Sequence, residues 1–173
     1  FTATASWTYR NVGDYNTDGL VSVNDLAPIG IFFQARDTDA NWASAQSADG
    51  NADGLVSVND LTPIGLNFQN SIDSYMIQTS NTPEVETSWL PAGFTQLSES
   101  TQSAPGAPRV FSATIGALVG FSYRVVPMYQ GSSGIAGTPV VYSGQAGGAL
   151  TFEDYQLVFD AVDEKTDNLI SDT

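Results

Sequence analysis

Apolar and polar residues alternate from the first position of the chain. Phe1-Thr-Ala3-Thr-Ala5-Ser-Trp7-Thr-Tyr9 puts every odd side chain on one face, the pattern of a half-buried strand. Residues 74–78, 94–98, 109–115, 121–127 and 139–142 carry similar short runs, separated by Gly, Pro, Ser and Asn. Short strands at this spacing predict an antiparallel sandwich. Between the first run and the rest, the period changes. Leu26, Ile29, Gly30 and Phe33, then Leu61, Ile64, Gly65 and Phe68, step as i, i+3, i+4, i+7 along one face of a helix. Ser22 to Asp25 and Ser57 to Asp60 form S-x-x-D capping signals ahead of them. Pro28 and Pro63 fall within the helical pattern, so these helices should be short, start late or kink.

The two helical segments belong to a repeat. Residues 14–25 recur as residues 49–60, at an offset of 35, and the match continues through Leu26/Leu61, Pro28/Pro63, Ile29/Ile64 and Phe33/Phe68. Each copy has oxygen side chains at positions 1, 3, 5, 9 and 12 and glycine at 6, the spacing of an EF-hand-type loop. Calcium is a hard cation that takes about six to eight oxygens, and alternate positions of a curled loop point at one centre. Asp14, Asn16 and Asp18, the carbonyl of Leu20, Ser22 (directly or through water) and Asp25 form the first expected ligand set. Asp49, Asn51, Asp53, Leu55, Ser57 and Asp60 form the second. Gly19 and Gly54 permit the sharp turn. An Asp/Asn/Gly-rich turn without metal is the plainer reading of one copy. Two complete copies weigh against it, because three carboxylates in one loop repel each other without a cation. Aspartate at position 12, in place of the commoner glutamate, shortens the closing arm.

Loop then helix, twice, resembles a dockerin over residues 12–70, with residues 37–47 as the connecting segment. The resemblance implies two antiparallel helices, folding that requires Ca²⁺, and docking to a cohesin domain in an extracellular complex. Its partner-reading positions fall at Val23, Asn24, Val58 and Asn59. The valine–asparagine pair departs from the small hydroxyl or apolar residues often found there. Farther on, Phe121-Ser-Tyr123-Arg-Val125 with the Gly131-Ser-Ser-Gly134 turn resembles the penultimate strand and hairpin of a fibronectin type III domain. The expected fold is therefore mainly β with a small α unit: a fibronectin-III-like antiparallel β-sandwich carrying a dockerin-like pair of calcium loop–helix repeats. Residues 1–11 supply a sandwich strand, 12–70 the calcium unit, 71–148 the sandwich and 149–173 a C-terminal segment. The calcium unit is read as an insertion between strands; a tail followed by two domains in series is the alternative. Residues 155–161 alternate like a strand that would replace a missing first one, within the molecule or in a neighbour. Thr151 and Asp154 with Phe152, Tyr155, Phe159 and Val162 fit a helix equally well.

Composition narrows the function. The net charge is −14, with five basic residues, and six of the 19 acidic residues lie in the two loops. Such a surface argues against nucleic acid and anionic membrane as partners, and no apolar run is long enough to span a bilayer. There is no histidine and no cysteine. The commonest general base, thiol nucleophiles and disulfides are therefore absent, and the chain is read as not an enzyme. Glu84/Glu86 and Glu153/Asp154, the carboxylate clusters outside the loops, read as solvated surface. Trp42, Trp89 and Tyr129 are candidates for a sugar platform, though strand tryptophans more often belong to cores. No signal peptide is visible, so Phe1 reads as a mature or trimmed start. Low lysine, abundant Thr, Ser, Gly and Asn, and the calcium loops suggest the outside of a bacterial cell. The expected role is a calcium-stabilised building block of a surface fibre, layer or adhesin that associates with itself or with neighbouring extracellular domains. A cohesin-docking module is the alternative, and a carbohydrate-binding module a minor one.

Overall fold

The structure, a computed structural model, describes residues 2–103, 106–144 and 149–152. The alternating N-terminal run forms strand β1 (Thr2–Thr8), with Ala3, Ala5 and Trp7 buried and their neighbours facing out. It pairs antiparallel with β4 (Val110–Gly116), Trp7 opposite Phe111, and in parallel with β8 (Ala149–Phe152) on its other edge. The second sheet has β2 (Ser74–Ser80) between β3 (Leu90–Gln96) and β5 (Ser122–Tyr129). Two short strands, β6 (Ser132–Ser133) and β7 (Val140–Val141), both pair with β5. The molecule is mainly β, its sheets antiparallel except where β8 joins β1.

The predicted strands fall close to the observed ones. The largest shift is at 94–98, where β3 starts at Leu90 and ends at Gln96. The chain turns there because Gln96 N–H donates to the Glu99 carboxylate at 2.6 Å, capping a short 3₁₀ turn, Leu97–Glu99. Pro91 is tolerated because β3 is an edge strand. Thr151 and Phe152, named in the helix reading, are strand residues in β8 instead. Residues 153–162, which carry the rest of that ambiguity, lie outside the described residues, as do Glu153 and Asp154.

An aromatic stack holds the two sheets together. Trp7 and Phe111, paired across β1 and β4, lie nearly parallel at 5.5 Å between centroids. Tyr75 of β2 meets both edge-on, at 5.7 Å and 4.8 Å. Such contacts add about 0.5–1.5 kcal/mol per pair beyond area burial. Tyr123 ties the corner ahead of β5, accepting from Leu118 N–H at 2.9 Å. The β5–β6 hairpin turns through Gln130 and Gly131, at φ +49° and +80°, the left-handed pair a two-residue loop requires.

Between β1 and β2 the chain builds a second, smaller core from Tyr15, Val21, Ile29, Ala35, Ala45, Ala48, Val56 and Ile64. Helices α1 (Leu26–Ile31) and α3 (Leu61–Leu66) each continue from a 3₁₀ turn, Val23–Asp25 and Val58–Asp60. Between them lie α2 (Trp42–Ala45) and a 3₁₀ turn, Gln46–Ala48. Pro28 and Pro63 occupy the third residue of α1 and α3, within the first turn, where a missing N–H costs little. These helices are short, as the prolines imply. The sequence reading of their apolar faces needs correction, however. Ile29 and Ile64 are buried, but Leu26, Phe33, Leu61 and Phe68 remain 43–50 % exposed. Six-residue helices offer few inward positions to so small a core, Ile29 in α1 and Pro63 and Ile64 in α3, and Phe33 and Phe68 lie beyond the helix ends.

Candidate functional site

The two repeated loops fold alike, almost bond for bond. In the first, Asp14 accepts Asp18 N–H at 3.2 Å and Gly19 N–H at 2.9 Å. Asp49 accepts Asp53 N–H at 3.1 Å and Gly54 N–H at 2.9 Å. Asn16 and Asn51 accept the same Asp18 and Asp53 amides, at 2.9 and 3.0 Å. Asp18 and Asp53 accept the amides of Leu20 and Leu55, both at 3.0 Å. Each loop is thus a succession of carboxylates curled over by its own backbone. Gly19 and Gly54 make the turn at φ +100° and +81°.

Asp25 and Asp60 close the loops, and both are fully buried. Asp25 accepts Asn16 N–H at 3.0 Å and Ser22 N–H at 2.7 Å, so position 12 reaches back to position 3. Asp60 accepts the amides of Gly50, Asn51 and Ser57. Ser22 and Ser57 also cap the following turn, each accepting an amide at 3.1 Å, from Asn24 and Asn59. The predicted capping signals are therefore real reciprocal capping boxes.

Each loop is sewn to the exit of the other helix. Val21 N–H bonds to Asn70 O and Gln69 N–H returns to Val21 O; Val56 N–H bonds to Ala35 O and Gln34 N–H returns to Val56 O. The next bonds outward use Gly19 O and Gly54 O as acceptors for Ile72 and Asp37. The carbonyls of Leu20 and Leu55, predicted ligands at position 7, take no part in this ladder.

What could such loops hold? Every donor is oxygen, which suits a hard divalent cation. The ion pair found among the described residues joins Arg124 to Glu86, so no basic side chain neutralises the six loop carboxylates there. Groups of three or more His, Cys, Asp or Glu side chains poised to hold a metal unaided are also absent among the described residues. The predicted set is mixed, adding an amide oxygen, a hydroxyl and a carbonyl to three carboxylates. Burial pushes the Asp14 carboxyl up to about 7, reinforced by the charges of Asp25 and Asp18 and opposed by hydrogen bonds from Tyr9 and Gly19. That is the electrostatic cost a cation in the loop would offset.

The surroundings of the loops differ, and this was missed in the sequence. Tyr9, just past β1, donates its hydroxyl to Asp14. Burial and the Asp14 charge raise the tyrosine well above its ordinary range, so it stays a donor. Arg109, just before β4, donates to both the carbonyl (2.8 Å) and hydroxyl (3.0 Å) of Thr17. Tyr15 reaches across to the Asp60 carbonyl at 2.6 Å. The signal was present where the copies disagree: Tyr15 against Gly50, and Thr17 against Ala52.

Val23 and Val58, predicted to read a partner, are 66 % and 63 % exposed, beside exposed Asn24 and Asn59. Ile31 and Leu66 are also exposed, at 74 % and 80 %. The three aromatics considered for sugar binding sit on different elements. Trp42 opens α2 and Tyr129 ends β5; Trp89 is 7 % exposed, with the Arg124 guanidinium 4.2 Å above its ring. No helix among the described residues is long and apolar enough to cross a membrane. Comparison with family models, with curated proteins and with solved structures finds no match to this chain.

Proposed function

We propose that this chain is an extracellular, non-catalytic structural protein whose two loops each take one Ca²⁺, and that it serves as a building block of a surface assembly. The observation that carries the reading is the duplicated loop geometry, with a fully buried aspartate closing each turn and no basic partner for it among the described residues. Calcium supplies the missing positive charge. The residues that would hold it are those predicted: Asp14, Asn16, Asp18, Leu20, Ser22 and Asp25, with Asp49, Asn51, Asp53, Leu55, Ser57 and Asp60. The small core of residues 12–70 needs such a staple, since eight mostly small or medium side chains bury little area. Binding free energy then becomes folding free energy.

The fibronectin-III-like reading is supported by the sandwich's two-sheet order and by Tyr123, which bonds back to the preceding corner as a tyrosine corner does. The insertion reading is supported by β1, which precedes the calcium unit yet pairs with β4 beyond it. Assembly would draw on the edge of the first sheet, where β8 joins β1 from the same chain and a neighbour's strand could take its place.

Docking to a cohesin is the second reading, favoured by the exposed apolar side chains Val23, Ile31, Val58 and Leu66. Sedimentation of the purified chain in calcium, then in EGTA, separates the two. Oligomers that grow with protein concentration in calcium are expected for a building block. A monomer at every concentration that only loosens in EGTA overturns self-assembly and leaves docking, tested by cohesin pull-down.

A further inference from the structure

We infer that the two loops are unequal, and that Tyr9 and Arg109 are positioning residues for the first metal site alone. The inference rests on the calcium reading but adds to it a division of labour: site one belongs jointly to the loop and the sandwich, site two to the loops only.

Three observations carry it. First, the sandwich donates hydrogen bonds to the first loop at two points. Tyr9 hydroxyl reaches Asp14, the position-1 ligand, and Arg109 Nε holds both oxygens of Thr17 at position 4. Arg109 is itself held, its Nη1 donating to Ser100 at 3.1 Å. Second, Thr17 sits at φ +56°, a left-handed conformation that a β-branched residue resists. Ala52 adopts φ +58° at the same position of the second loop, without a β-branch and exposed. The strained threonine coincides with the arginine that fastens it. Third, parts of the first half of the loop are packed close. Asp14 and Thr17 are 4 % and 5 % exposed, and a Cβ on Gly19 would stand 2.5 Å from the Ile72 carbonyl. Among the described residues no sandwich side chain donates to the second loop. Its cross-link, from Tyr15 to the Asp60 carbonyl, comes from the first.

Groups that orient a metal's ligands commonly change affinity about 10–100-fold when removed. Here that effect should be confined to one of two otherwise identical loops. Because Tyr9 follows β1 and Arg109 precedes β4, calcium at site one also fastens the loop unit to the first sheet, whereas calcium at site two does not.

The test is calcium titration by calorimetry on the full chain, with Tyr9→Phe, Arg109→Lys and Arg109→Ala, in wild type and in two marked backgrounds. Asp18→Ala disables site one and Asp53→Ala disables site two. In the Asp53→Ala background, Tyr9→Phe and Arg109→Ala should weaken the remaining step about tenfold or more. Arg109→Lys should fall between wild type and alanine. In the Asp18→Ala background the same changes should leave the remaining step within about twofold. If Arg109→Ala does not fold, Tyr9→Phe and Arg109→Lys carry the comparison. Equal weakening in both backgrounds, or none in either, overturns the inference while leaving calcium binding intact. Absence of any calcium binding in wild type overturns both.

Discussion

Single residues decide how two nearly identical loops coexist. Gly50 occupies the position that Tyr15 holds in the first copy, and a Cβ there would stand 1.8 Å from the Tyr15 hydroxyl oxygen. The glycine is needed for space; Gly50 is not among the residues with positive φ. Gly50→Ala should lower stability by about 1–3 kcal/mol through overpacking, read from the urea midpoint in calcium. The same change in a Tyr15→Ala background should cost markedly less, since the obstructing ring is gone. A second prediction concerns Glu86. The Arg124 guanidinium grips it through two hydrogen bonds and holds its carboxyl below the usual range. A lowered carboxylate contributes stability above its unfolded value and loses it as pH falls through the folded one. NMR titration of Glu86 should therefore give a midpoint below 4.5 in wild type. In Arg124→Gln it should move up toward that value. The effect on global stability should be small, because Glu86 is exposed and screened.

At the scale of elements, capping residues matter more than helix propensity. The helices α1 and α3 have six residues each, too short to persist without tertiary support. Each continues from a 3₁₀ turn fixed by a reciprocal box, Ser22 with Asp25 and Ser57 with Asp60, in which the closing carboxylate of the loop is also a member of the box. Ser57→Ala removes the acceptor for Asn59 N–H and should cost about 0.5–2 kcal/mol by chemical denaturation. Asp60→Asn should cost more, since it disturbs the loop amides of Gly50 and Asn51 as well as the Ser57 amide of the cap. These capping boxes were legible in the sequence because capping is local chemistry. The fate of the helix stripe was not: periodicity identifies a face, but whether Leu26 or Phe33 is covered depends on how much core the rest of the chain provides.

For the whole molecule, the prediction is a hierarchy of stability. The sandwich is held by an aromatic stack that spans both sheets and owes nothing to metal. The loop unit has an apolar core of eight buried residues and six clustered carboxylates. Calcium at a hundredfold excess over Kd would add about 2.7 kcal/mol per site. Removing it with EGTA should first release amide-exchange protection at Val21, Val56 and the loop amides. Ile77 and Val125, at the centre of the second sheet, should stay protected longest. Protection lost everywhere at once would mean that the two cores fold as one unit.

The alternation of β1 and β4, the capping boxes and the spacing of the loop oxygens were all determined by the sequence alone. Each depends on residues a few positions apart, and backbone geometry converts such spacing directly into faces and turns. Tertiary structure decided what those elements meet. It set Tyr9 and Arg109 on the first loop, sewed each loop to the other helix's exit, and placed β8 parallel to β1. Those contacts join positions as far apart as Thr17 and Arg109, and nothing in local periodicity carries that distance. The one trace in the sequence is the small set of places where the two copies differ, because identical loops diverge where their surroundings do.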